Sequence, residues 1–197
     1  VESVRRMLAR QGKSEGPLTV ADLVALGHLD QYHYLGEETC HEVVKALGLG
    51  PVDHVCDIGS GVGGTSRVIA EASGCRVTGL ELQPGLNALA TELTERVGLG
   101  ERVSFLTTDF ALGSPVAGKF DAFISLLVYL HLPDLSASLR HRRDLLKPGG
   151  RFFIEDLTLL RAPTPAEQRE LEEVLSAHSL VPAETYPGEV AAAGLEV

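Results

Sequence analysis

From residue 54 onward the chain alternates short apolar runs with longer stretches whose apolar positions recur every three or four residues. The runs at 54–58, 76–80, 103–107, 120–126 and 151–155 are rich in Val, Ile, Leu and Phe and have the length of buried strands. The stretches 64–72, 84–97 and 135–146 have helical spacing. A further helix is predicted over 164–177, where Thr164-Pro165-Ala166-Glu167 is a capping box with proline in the first helical position. Strand–helix units repeated in this way predict an α/β fold: a doubly wound, Rossmann-like, mostly parallel sheet covered on both faces. Ahead of it, 3–10, 20–26 and 37–47 read as short helices, the last stopping at Gly48, with a polar linker at 12–17. The expected organisation is an N-terminal helical cap or lid over 1–50 and a ligand-binding α/β domain over 51–197.

Composition narrows the function classes. At 197 residues there is chain enough for one sizeable core, and 44% apolar with 22% charged residues places it among ordinary globular domains. Lys and Arg number 17 against 27 Asp and Glu, a net charge of -10 with the basic residues scattered. Nucleic-acid binding needs a basic footprint and is not expected; a cationic ligand is mildly favoured. There is no signal peptide and no apolar run long enough to span a bilayer, so no membrane partner is expected. Cys40, Cys56 and Cys75 form no Cys-x-x-Cys pair and read as buried free thiols in a reducing, cytoplasmic setting. The 7 histidines include no His-x-x-x-His pair, and Cys40 and His41 are neighbours that do not share a helix face, so no metal site is expected.

The most informative segment is Val55-Cys56-Asp57-Ile58-Gly59-Ser60-Gly61-Val62-Gly63-Gly64, a buried strand, a glycine turn and a helix start. Gly59, Gly61 and Gly64 also satisfy the dinucleotide pattern Gly-x-Gly-x-x-Gly, so the glycines alone decide little. The acid two places before them suits a ligand whose head is cationic and donates hydrogen bonds. S-adenosylmethionine has such a head, an ammonium and a sulfonium with no phosphate. Gly59, Gly61 and Gly63 let backbone approach a ligand where a Cβ would clash. Glu81, 22 residues after Gly59, lies where the second strand of such a fold delivers an acid to ribose hydroxyls. Asp109, ending strand three, is placed to accept from an adenine amine, and Phe110 to cover the ring; core packing accounts for Phe110 as well. Acids are also common caps and turn residues. Three of them beside one glycine turn are better explained by a shared ligand beyond the carboxyl ends of the strands.

The chain resembles the class I S-adenosylmethionine-dependent methyltransferases. The resemblance rests on the glycine segment, on Val77-Thr78-Gly79-Leu80-Glu81-Leu82, on Thr108-Asp109-Phe110, on Phe120-Asp121-Ala122-Phe123-Ile124-Ser125 with His131-Leu132-Pro133-Asp134, and on Leu146-Lys147-Pro148-Gly149-Gly150-Arg151. It implies S-adenosylmethionine as cofactor, leaving S-adenosylhomocysteine, with Asp57 and the glycines at the methionine moiety, Glu81 at the ribose and Asp109 by the adenine. The implied cofactor-binding residues are Gln31, Asp57, Gly59, Ser60, Gly61, Gly63, Glu81, Leu82, Asp109, Phe110, Ser125 and Leu126. Leu29-Asp30-Gln31-Tyr32-His33-Tyr34-Leu35-Gly36 resembles a stretch that closes over the cofactor in the small-molecule branch, which acts on sarcosine, dimethylglycine or phosphoethanolamine. The family's sheet has seven strands. This chain closes on Gly194-Leu195-Glu196-Val197 where the sixth is due, so a truncation at the C-terminal end is expected.

The expected activity is methyl transfer to a small polar metabolite at an amine nitrogen. Positioning and water exclusion supply most of the acceleration. A general base is needed only where the acceptor keeps a proton. The candidates are His131, at the end of strand four, and His33, in the lid-like segment, with Tyr129 and Tyr32 to orient the acceptor. Tyr32, Tyr34 and Tyr129 are also the rings available to cradle a methylated ammonium. Three alternatives stay open: C- or O-methylation of a quinol-like or polyketide-like molecule, a non-catalytic cofactor binder, and a nicotinamide dehydrogenase. Asp57 and the absence of a Tyr-x-x-x-Lys set weigh against the last. The partner expected is a small-molecule methyl acceptor, with a homodimer left open.

Overall fold

The computed structural model describes residues 1–109 and 120–197. Its five strands are β1 (His54–Ile58), β2 (Arg76–Glu81), β3 (Val103–Thr107), β4 (Phe120–Leu126) and β5 (Leu146–Glu155). They form one sheet in the order β3-β2-β1-β4-β5, and every pairing is parallel. Strand order reverses between β1 and β4. The glycine turn therefore sits at the switch point, beyond the carboxyl end of β1, where open α/β sheets hold ligands.

Eight α-helices accompany the sheet among the described residues: α1 (Glu2–Arg10), α2 (Val20–Val24), α3 (Glu37–Leu47), α4 (Gly64–Ser73), α5 (Pro84–Arg96), α6 (Leu135–Arg143), α7 (Pro165–Leu175) and α8 (Tyr186–Ala192). Alternation along β1 separates two cores. Cys56 and Ile58 join Phe123, Leu135, Leu139 and Val190 on the α6/α8 face. Val55 joins Cys40, Val43, Val68 and Ile69 on the α3/α4 face. Asp57 shares the parity of Val55, so period-two geometry sends the one acid of β1 toward α3 and α4. A third core packs Val4 and Leu8 of α1 and Leu23 of α2 against Leu89 and Leu93 of α5 and Val62 of the glycine turn. The cap thus sits on the helices that flank the site.

Element ends follow local chemistry. α3 stops at Gly48 in the left-handed region, φ 55°. The Thr164/Glu167 capping box forms in both directions, opening α7. α7 ends at Leu175 rather than 177 because Ser176 turns left-handed, φ 51°. α6 ends at Arg143 and β5 begins at Leu146, inside the stretch expected to be helix end and turn. The ladder jumps from Phe120↔Leu146 to Ala122↔Arg151, so Lys147 to Gly150 bulge out of a strand instead of preceding one. α8 lies in a stretch after 177 for which the sequence pattern predicts no element; proline in the first helical turn lacks only a donor that has no intrahelical partner. No helix among the described residues is long and apolar enough to cross a membrane.

Candidate active site

The turn after β1 is held by the neighbouring strand. The Gly59 and Ser60 N–H groups donate to Leu80 O at 2.9 and 3.1 Å, and Gly63 N–H donates to Ser60 O at 2.8 Å. Glu81, ending β2, accepts from Gly61 N–H at 3.0 Å and from Gln83 N–H at 2.8 Å. Its carboxylate is thereby fixed beside the turn, with lone pairs left for a diol. Gly61 lies at φ +55°, and a Cβ there would come within 3.2 Å of the Tyr32 ring. Gly64 opens α4 under the cap, and a Cβ there would sit 2.2 Å from the Asp30 carbonyl oxygen.

Asp57 is the electrostatic centre of the site. It is 3% exposed and accepts the Ser66 hydroxyl of α4 at 2.5 Å. Among the described residues no cation pairs with it. Burial drives its pKa up to about 7, with Ser66 opposing and the Glu81 charge adding to the rise. A buried carboxylate without a counter-ion, next to a turn open to backbone approach, fits an ammonium-bearing ligand. Ser60 Oγ, also buried, has no hydrogen-bond partner among the described residues and is a further polar atom available to it.

The cap reaches this cleft directly. Gln31 and His33 line the same small cavity as Asp57, Gly59, Ser60, Gly61 and Leu126. The space among these residues is about 30 Å³, well below the ~300–1,000 Å³ of ordinary ligand pockets. Segment 30–33 is anchored by a buried ion pair that the sequence reading missed. Arg67 of α4 donates to Asp30 at 2.5 Å with both side chains at 0–2% exposure, and to Thr94 Oγ1 of α5 at 3.2 Å. An arginine amid the small and apolar residues of α4, Gly64-Thr65-Ser66-Arg67-Val68-Ile69-Ala70, was the available signal.

The other expected residues scatter. Ser125 is fully buried in β4, its hydroxyl without a partner among the described residues. Gly63 caps α4 at φ +81°. Leu82 is 55% exposed, and Asp109 is exposed at the edge of the described chain. Phe110 lies outside the described residues. Tyr129 does not face the cleft as expected for an acceptor-orienting hydroxyl. It is 1% exposed in the core beside Phe123 and Leu139, because its side chain fills the α6/α8 face of the sheet. His131 is exposed, and its Nδ1 lies 3.1 Å from the Ser176 carbonyl oxygen, where it ties the end of β4 to the α7 C-terminus. Of the three catalytic candidates, only His33 lies on the cavity that holds Asp57. Among the described residues no group of three metal-ligating side chains converges.

With that geometry, Gly61→Val is expected to abolish ligand binding in the cleft. It fills the approach to the turn and adds ~1–2 kcal/mol of left-handed strain, while exposed Tyr32 has room to swing aside. Circular dichroism should show the fold retained; a titration that still shows cofactor binding would contradict the assignment of the turn.

Comparison with known proteins agrees with the architecture. The family described as a methyltransferase domain matches residues 56–154. The chain is 28% identical over 173 residues to the methyltransferase GfsG of Streptomyces halstedii, covering 86% of this chain and 62% of that protein. It is 32% identical over 108 residues to the sarcosine/dimethylglycine N-methyltransferase of Halorhodospira halochloris, covering 55% and 39%. It therefore spans less than two thirds of these relatives. A solved structure of geranyl diphosphate C-methyltransferase from Streptomyces coelicolor A3(2) superposes with a TM-score of 0.71 at 18% identity, over 80% of this chain and 58% of that one, which speaks to the fold. The match over 56–154 runs from the last three residues of β1 and its glycine turn through all but the last residue of β5, and on it this chain belongs to the methyltransferase-domain family.

Proposed function

We propose that this chain binds S-adenosylmethionine and transfers its methyl group to a small-molecule acceptor at an amine nitrogen. The observation that carries the reading is Asp57, a buried carboxylate with no cation partner among the described residues, beside the glycine turn and Glu81. Asp57 receives the ligand's ammonium, Glu81 its ribose hydroxyls, and Gly59, Gly61 and Gly63 leave room for it; Gln31, Ser60, Leu82, Asp109, Ser125 and Leu126 complete the proposed set. When bound, the sulfonium would supply an activated methyl group for transfer to the acceptor. The protein's part is to align the acceptor and exclude water. Residues 1–50 act as the lid, with segment 30–33 closing over the cleft. The matched N-methyltransferase of sarcosine and dimethylglycine supports an amine acceptor.

A second reading has its own observation. Beyond the carboxyl end of β5, Leu157, Leu159, Leu160, Leu171, Leu175 and Leu180 line a groove of about 440 Å³, and α7 buries none of its residues. An apolar acceptor methylated at carbon or oxygen suits that groove. A metabolite panel containing amines, sterols and isoprenoid diphosphates, read by S-adenosylhomocysteine release, separates the two. Turnover of amines supports the first reading and turnover of apolar acceptors alone the second. Cofactor binding with no turnover across the panel makes the chain a binder.

A further inference from the structure

Among the described residues two side chains other than glycine sit on a left-handed backbone, Leu127 at φ +58° and Ser176 at φ +51°. Ser176 ends α7, where a left-handed residue is ordinary. Leu127 ends no helix. It follows β4 directly, at the edge of the sheet that holds the cleft. A bulky L-residue pays for that conformation, because its Cβ crowds the following carbonyl oxygen. Such strain persists where the surroundings over-determine it, and it concentrates at functional sites.

The surroundings of Leu127 do over-determine it. On its near side, the Leu127 N–H donates to Glu155 O at 2.8 Å and extends the β4–β5 ladder by one residue. On its far side, the Leu130 N–H donates to Asp156 Oδ2 at 3.1 Å. The Tyr129 carbonyl accepts Ser179 Oγ at 2.7 Å, and the Leu130 carbonyl accepts the His178 N–H at 2.7 Å. The Tyr129 ring is sunk in the α6/α8 core. The chain is therefore pinned before and after the Leu127–Val128 link, and the left-handed step joins the two anchored ends. Its product is the placement of Val128. This residue is 8% exposed, and its two methyl carbons lie 2.5 and 2.9 Å from the place a Cβ on Gly59 would take. Gly59, at φ +68°, begins the glycine turn and lines the cavity that holds Asp57 and Leu126.

Resting on the S-adenosylmethionine reading above, we propose that Leu127 is a positioning residue whose left-handed backbone, rather than its side chain, seats Val128 on Gly59 and so holds the glycine turn in its binding shape. A right-handed Leu127 would carry Val128 away from Gly59 and release the turn. Affinity for the ligand then falls in proportion to the fraction of protein with Val128 seated.

The test separates backbone from side chain at this one position. Leu127→Ile keeps the apolar bulk but branches at Cβ and resists the left-handed region. Leu127→Gly and Leu127→Asn give up the bulk and accept that region. In calorimetric titration with S-adenosylmethionine, Leu127→Ile should bind about tenfold or more weaker than the parent, and Leu127→Gly and Leu127→Asn within about threefold of it. Urea midpoints, read in parallel, should fall in the glycine and asparagine variants, because half-buried Leu127 loses its packing there. A packing role for the side chain predicts the reverse order of affinity, with Leu127→Ile nearest the parent, and that order would overturn the assignment. Equal binding by the parent and all three variants would overturn it too. Should Leu127→Ile not fold, Leu127→Ala takes its place: it is as short of bulk as the glycine variant but keeps the Cβ penalty, and should bind severalfold more weakly than Leu127→Gly. Equal affinity of those two would again overturn the assignment. If the parent itself does not bind S-adenosylmethionine, the methyl-transfer reading has failed instead.

Discussion

Replacing Asp30 with alanine is expected to lower the stability of the chain by about 3–5 kcal/mol, the usual cost of stranding one partner of a fully buried ion pair. Arg67 is wholly buried, and its remaining partners in α5 are the Thr94 hydroxyl at 3.2 Å and the Ala90 carbonyl at 3.4 Å, neither of which carries charge. The same residue seats the cap, since its carbonyl oxygen lies where a Cβ on Gly64 would go. Urea unfolding measures the loss as a lowered midpoint at constant slope. The double variant Asp30→Leu with Arg67→Met should recover most of it, because two apolar groups leave no bare charge. A loss below about 1 kcal/mol in the single variant would mean that the pair is not buried in solution.

The second large effect separates stability from binding at one residue. Asp57→Asn is expected to weaken S-adenosylmethionine binding by about 30-fold to several thousand-fold, since removing one partner of a desolvated charge pair costs about 2–5 kcal/mol. The same change should stabilise the ligand-free protein above pH 7. The folded Asp57 has its pKa raised from 3.8 to about 7, so between those values the folded state holds a proton that the unfolded state has lost. Its contribution is fully present below about pH 4 and is lost as pH rises to about 7, a total of roughly 4 kcal/mol. The parent protein should therefore lose stability across that window, and the asparagine variant should not show that part of the loss. Thermal unfolding from pH 5 to 8 reads both curves. Parallel curves would show that Asp57 is not buried as a lone carboxylate.

Much of the fold is legible because it depends on local signals. Periodicity places β1 to β4 within a residue, Gly48 ends α3, and the Thr164 capping box opens α7. Boundaries set by pairing are not legible. The bulge at Lys147 to Gly150 exists only because β4 lies alongside β5, and α8 lies in a stretch for which the sequence pattern predicts no element. At the site, the acids at strand ends and the glycine turn come from the motif itself. The side of the sheet on which a loop residue lands does not. Tyr129 and His131 are two residues apart, yet one fills a core and the other faces solvent. The Asp30–Arg67 pair joins residues 37 apart in sequence, and only packing reveals it.

The central claim is that a buried, uncompensated carboxylate at the end of β1 receives a cation bound to adenosine. Calorimetric titration of S-adenosylmethionine from pH 5 to 8, in two buffers of different ionisation enthalpy, tests it most directly. The expected result is binding that tightens toward tenfold per unit of pH up to about 7 and releases close to one proton below that point, with both effects absent in Asp57→Asn. Binding independent of pH and without proton release, or binding of a nicotinamide dinucleotide in place of S-adenosylmethionine, would contradict it.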